Sequence, residues 1–114
     1  MQNTRIVSVT DKIDSKGLAK KVRTDRESAL VLFSGEWCKD CRAFKPVWDA
    51  WTEGRAGPIY TVEVGRAGRE WKEWSLDEIP TVAAYSGGSE VGRAHGAITR
   101  DDLESLWKGK LSMA

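Results

Sequence analysis

Ala29-Leu30-Val31-Leu32-Phe33-Ser34-Gly35-Glu36-Trp37-Cys38-Lys39-Asp40-Cys41 passes from an apolar run to a closely spaced pair of cysteines. Its first five residues are continuously apolar, the pattern of a β-strand covered on both faces. Ser34 to Trp37 is the turn that leaves this strand. From Cys38 to Trp51 the apolar residues recur at helical spacing, with Cys41, Phe44, Trp48 and Trp51 near one stripe and Val47 beside them. Pro46 falls inside that helix, where its missing N–H is expected to produce a kink.

Strand, turn and helix together give the cysteines a chemistry. Residues i and i+3 of a helix lie about 5–6 Å apart, within reach of a disulfide. The unpaired N–H groups and positive potential of a helix N-terminus favour thiolate over thiol. Cys38 stands at the tip and is expected to be an exposed, attacking thiolate. Cys41 shares the stripe of Phe44 and Trp48 and is expected to be a buried, resolving thiol. Lys39 favours a thiolate at Cys38 and Asp40 opposes it, so both are candidate tuning residues.

Working outward, Arg5 to Val9 alternates and reads as a first strand. Ser15 is expected to cap a helix through about Thr24, with Leu18 and Val22 on its buried face. Ile59 to Val64 is a third strand and Arg69 to Trp74 a short helix. Thr81 to Tyr85 and Glu90 to about His95 form a hairpin turned by Gly87-Gly88. A final helix starts at Thr99, with Asp101 and Asp102 at its N-terminus, Leu103, Leu106 and Trp107 as its stripe, and its end at Lys108-Gly109. The order β-α-β-α-β-α-β-β-α suits an α/β fold, a mixed central sheet flanked by helices on both faces.

At 114 residues the chain is expected to be a single domain, with a core over about 5–108 and a loose tail at 109–114. Its 18 basic and 17 acidic side chains nearly cancel, which gives no field for nucleic acid or membrane. Met1 to Val9 lacks the apolar core of a secretory signal, so a cytoplasmic location is expected, and a reducing compartment argues against a structural disulfide. Of the six tryptophans, Trp48, Trp51 and Trp107 are expected in the core and Trp37 at an exposed contact, with Trp71 and Trp74 open to either.

The stretch from Phe33 to Cys41, with Pro46 beyond it, resembles the active-site strand and helix of the thioredoxin family. Ile79-Pro80-Thr81 resembles the family's Ile-Pro-Thr, whose proline is cis, and Gly88 and Gly96 also fall at the family's spacings. The resemblance runs from about residue 5 to 108 and implies the thioredoxin fold. It implies dithiol–disulfide exchange through Cys38 and Cys41, with Trp37, Ile79, Pro80 and Gly96 binding an extended substrate by strand addition. Two departures stand out. The Gly-Pro pair usual between the cysteines is Lys39-Asp40, and the buried Asp that assists the resolving cysteine is Leu32, with Thr61 in place of its usual lysine companion.

The expected function is reduction of protein disulfides, with disulfide-containing proteins as substrates and an electron donor such as a thioredoxin reductase. No cofactor is expected, and the chain is expected to be a monomer. His95, the only histidine, precedes Gly96 and is either a proton-transfer group or a surface residue without a role. Two other classes compete. A structural zinc site needs four ligands, and the two cysteines with His95 are one short. A thioredoxin-fold adaptor with little turnover is the alternative that the missing Asp makes credible, and multiple-turnover reduction separates it from an enzyme.

Overall fold

A computed structural model describes residues 10–112. Five strands form one mixed sheet: β1 (Thr10–Lys12), β2 (Ala29–Ser34), β3 (Ile59–Glu63), β4 (Thr81–Ser86) and β5 (Ser89–His95), in the order β1-β3-β2-β4-β5. β1, β3 and β2 run parallel, while β4 is antiparallel to β2 and to β5. The strand expected over residues 5–9 lies outside the described residues.

Four helices cover the sheet: α1 (Ser15–Ala19), α2 (Lys39–Thr52), α3 (Glu70–Glu73) and α4 (Arg100–Ser112). Leu18 and Val22 are buried as the pattern requires, but the helix between them changes pitch, α1 passing into a π-helical turn over Lys20–Thr24. Its cap is Asp14, not Ser15: Asp14 Oδ1 accepts the Gly17 N–H at 2.7 Å. The Ser15 hydroxyl is committed elsewhere, donating to Glu73 and accepting the Trp74 indole N–H at 2.7 Å. α2 passes through Pro46 as one helix. Thr99 and Asp102 cap α4 reciprocally, each side chain accepting the other's backbone N–H. α4 runs on past Gly109 to Ser112, since a glycine within a helix costs only about 1 kcal/mol relative to alanine.

The sheet separates two apolar layers. Leu18, Val22, Val31, Phe33, Val62, Trp74 and Tyr85 fill one side, and Leu30, Leu32, Trp48, Trp51, Ile59 and Leu103 the other. Both faces of β2 are therefore covered, which is why its sequence is apolar throughout. Trp107 is half-buried and meets Trp51 edge-on with centroids 5.7 Å apart. Trp74 is buried, and Trp71 packs partly buried against the same layer.

Register converges the site. Phe33 pairs with Thr81, and Thr81 with His95, so one row crosses β2, β4 and β5. Residues just after Phe33, just before Thr81 and just after His95 must then emerge at one edge of the sheet. Those residues include Cys38, Pro80 and Gly96.

Candidate active site

Cys38 is the N-cap of α2, with extended φ −92° and ψ 117°. Its sulfur accepts the Cys41 backbone N–H at 3.1 Å, taking up one of the N–H groups that a helix start leaves unpaired. The same sulfur lies 3.7 Å from the Ile79 carbonyl oxygen, to which its thiol donates. Neither Cys38 nor Cys41 is joined in a disulfide in this structure. Cys38 is only 7% exposed and Cys41 3%, so the expected exposed tip is corrected. The loop that ends at Pro80 folds back over Cys38, a contact between residues 41 positions apart.

Burial pushes the Cys41 thiol up to about 11, aided by its contact with Cys38, while hydrogen bonding from the Gly35 amide and the Ser34 hydroxyl works the other way. Behind Cys41 opens a cavity of about 430 Å³, lined by Leu32, Ser34, Trp48, Thr61 and Glu63 among others. Leu32 and Thr61 are direct register partners across β2 and β3, so the apolar residue and its neighbour stand side by side beneath the site. Lys39 and Asp40 are exposed on the first turn of α2.

The Ile79–Pro80 peptide is cis. Ile79 and Pro80 are both buried, and the Gly96 N–H donates to the Pro80 carbonyl at 3.3 Å. Gly96 has φ +78°, a region glycine enters without strain, and a Cβ there would lie 3.3 Å from Glu78 Oε1. Trp37 is half-buried rather than exposed. Its indole N–H donates to the Val64 carbonyl at 2.8 Å, its ring packs against Trp71, and the Arg66 guanidinium lies 4.8 Å from its centre.

His95 turns to Glu78, with Nδ1 2.9 Å from Oε2, and does not line the Cys41 cavity. Among the described residues no three His, Cys, Asp or Glu side chains are grouped to hold a metal ion. Ser34, Glu63 and Glu78 are the neighbours that the sequence reading passed over. The signal for Glu63 was present: it follows Thr61 by two on one strand and so shares its face.

A family model for thioredoxin matches residues 9–108. A probable thioredoxin-2 of Caenorhabditis elegans is 26% identical over 87% of this chain and 70% of its own length. A thioredoxin of Chlamydia trachomatis is 34% identical over 69% of this chain and 80% of its own. The solved thioredoxin F of spinach chloroplast superposes with a TM-score of 0.76 at 18% identity, over 95% of this chain and 99% of that one. A dithiol at a helix start, set against an X-Pro loop on this sheet, thus comes with a family match over most of the chain: it belongs to the thioredoxin family and is a thiol–disulfide oxidoreductase.

Proposed function

We propose that the protein reduces disulfides in other proteins, with Cys38 as nucleophile and Cys41 as resolving thiol. The Cys38 thiolate attacks one sulfur of the substrate disulfide, and the other leaves as a thiolate. Cys41 then loses its proton and attacks Cys38, releasing the second substrate thiolate. Two electrons pass to the substrate, and the protein ends as a Cys38–Cys41 disulfide. One observation carries the assignment of roles: the Cys38 sulfur faces the Ile79 carbonyl in the loop, while Cys41 sits behind it with its thiol pushed up to about 11.

An extended substrate segment lies along Ile79, Pro80 and Gly96 beside Trp37, pairing with backbone groups of the loop. Lys39 and Asp40 tune the couple, for which a tenfold change in equilibrium is only about 30 mV. A reductase of the thioredoxin reductase kind returns electrons to the oxidised pair. The working compartment is the cytoplasm. No helix among the described residues is long and apolar enough to cross a membrane.

Multiple-turnover reduction of a disulfide-bonded protein such as insulin, driven by a small dithiol, tests the proposal. Turnover well above the dithiol alone is the expected result. Binding without turnover would favour an adaptor instead. The equilibrium potential of the Cys38–Cys41 pair then fixes the direction.

A further inference from the structure

Exchange requires Cys41 to lose a proton, yet the residue beneath it is Leu32, 4% exposed and unable to accept one. The cavity behind Cys41 has room and polar lining for water. Trp48, whose buried indole N–H has no protein hydrogen-bond partner among the described residues, also lines it. The charged side chains facing this space are Lys12 from β1, Glu36 from the turn, Arg42, Lys45 and Asp49 from α2, and Glu63 from β3.

Three of these carry carboxyl groups, and they are not equivalent. Asp49 is paired with Lys45 at 2.8 Å, two turns along α2 from Cys41. Glu36 lies on the turn, and its backbone N–H is bound at 3.0 Å by Glu63 Oε2. Glu63 is held by that bond and is the register partner of Ser34, which lines the same cavity as Cys41. It also shares the strand face of Thr61, next to Leu32. Ser34 and Glu63 therefore face one cavity with the Cys41 thiol.

We propose that Glu63 takes the Cys41 proton through the cavity, by way of water and the Ser34 hydroxyl, in the step that releases the substrate. The inference rests on the exchange reading above. The Cys41 S–H bond breaks, its proton ends on the Glu63 carboxylate, and the electron pair left on Cys41 sulfur forms the bond to Cys38. The Cys38–substrate bond breaks, the substrate sulfur leaves with its electrons, and Glu63 later returns the proton to solvent.

A bis-nitrobenzoate disulfide separates the steps, because Cys38 attack and Cys41 attack each release one coloured thiolate. Stopped-flow absorbance of the reduced full chain then gives two phases. Glu63→Gln keeps an acceptor for the Glu36 N–H and loses the base. Its second phase is expected to slow about tenfold or more at neutral pH, to recover on addition of acetate, and to leave the first phase in place. Asp49→Asn, at the same cavity, is expected to match the parent in both phases. A second phase at the parent rate in Glu63→Gln would overturn the inference, as would slowing that acetate fails to rescue. If the parent itself shows no second phase, the exchange reading falls, and this inference with it.

Discussion

The backbone N–H of Cys41 donates to the sulfur of Cys38 across 3.1 Å, so the residue assigned to the second half of the reaction holds the residue assigned to the first. Cys38 faces the Ile79 loop and Cys41 the cavity on the other side. Cys38→Ser is therefore expected to abolish disulfide reduction, whereas Cys41→Ser accumulates mixed disulfides with substrate that mass spectrometry detects. Alkylation of the reduced parent should reach Cys38 first. Faster modification of Cys41 would reverse the assignment.

The thiol of Cys41 supplies a pH test. A value raised to about 11 keeps it protonated at neutral pH, with about one molecule in ten thousand as thiolate at pH 7. Its reactivity must then rise with pH well beyond the ordinary thiol range. In Cys38→Ser the contribution of the Cys38 sulfur changes, but burial, the largest cause, remains. The alkylation rate of Cys41 in that variant is expected to climb with a midpoint above that of a free cysteine. A midpoint at or below the free value would contradict the sheltered-thiol assignment.

Trp37 is positioned by what Gly35 lacks. A Cβ on Gly35 would lie 2.6 Å from Trp37 Nε1 and 2.9 Å from the Val64 carbonyl oxygen that the indole binds. Gly35→Ala is expected to push Trp37 off Val64, lower stability by about 1–3 kcal/mol, and slow attack on protein substrates more than on small disulfides. Urea unfolding and tryptophan fluorescence read the first two effects. Unchanged fluorescence in a fully stable variant would mean the indole has room to move.

Local pattern carried most of the fold, and long-range contact carried what was missed. The apolar run Ala29–Phe33, the Gly87-Gly88 turn and the cysteine spacing each have a cause within a few residues. Both turn glycines sit at positive φ, +64° and +92°. The burial of Cys38 has no local cause, since it comes from a loop 41 positions away. Asp14 and Ser15 are both good caps by type, and only the position of Glu73 and Trp74 decides between them. The pairing of His95 with Glu78 likewise depends on two segments meeting at the sheet edge. Glu63 was legible as a neighbour of Thr61, but its part in the site needed the cavity.

Leu32→Asp tests whether proton removal limits release. Leu32 lines the Cys41 cavity and is the register partner of Thr61, so a carboxylate there would reach the thiol more directly than Glu63 does. Release of the second coloured thiolate is expected to accelerate in this variant. A carboxylate in place of a buried leucine should also lower stability by about 1–3 kcal/mol, which urea unfolding measures. If Glu63 and the new carboxylate serve one proton, their effects cannot be independent. The acceleration from Leu32→Asp is then expected to be larger in the Glu63→Gln background than in the parent, because the new group replaces a missing route rather than competing with one. Equal acceleration in both backgrounds would mean the two carboxylates act separately. No acceleration in either, with both variants folded, would show that the chemical attack on Cys38, and not loss of the Cys41 proton, sets the rate of release.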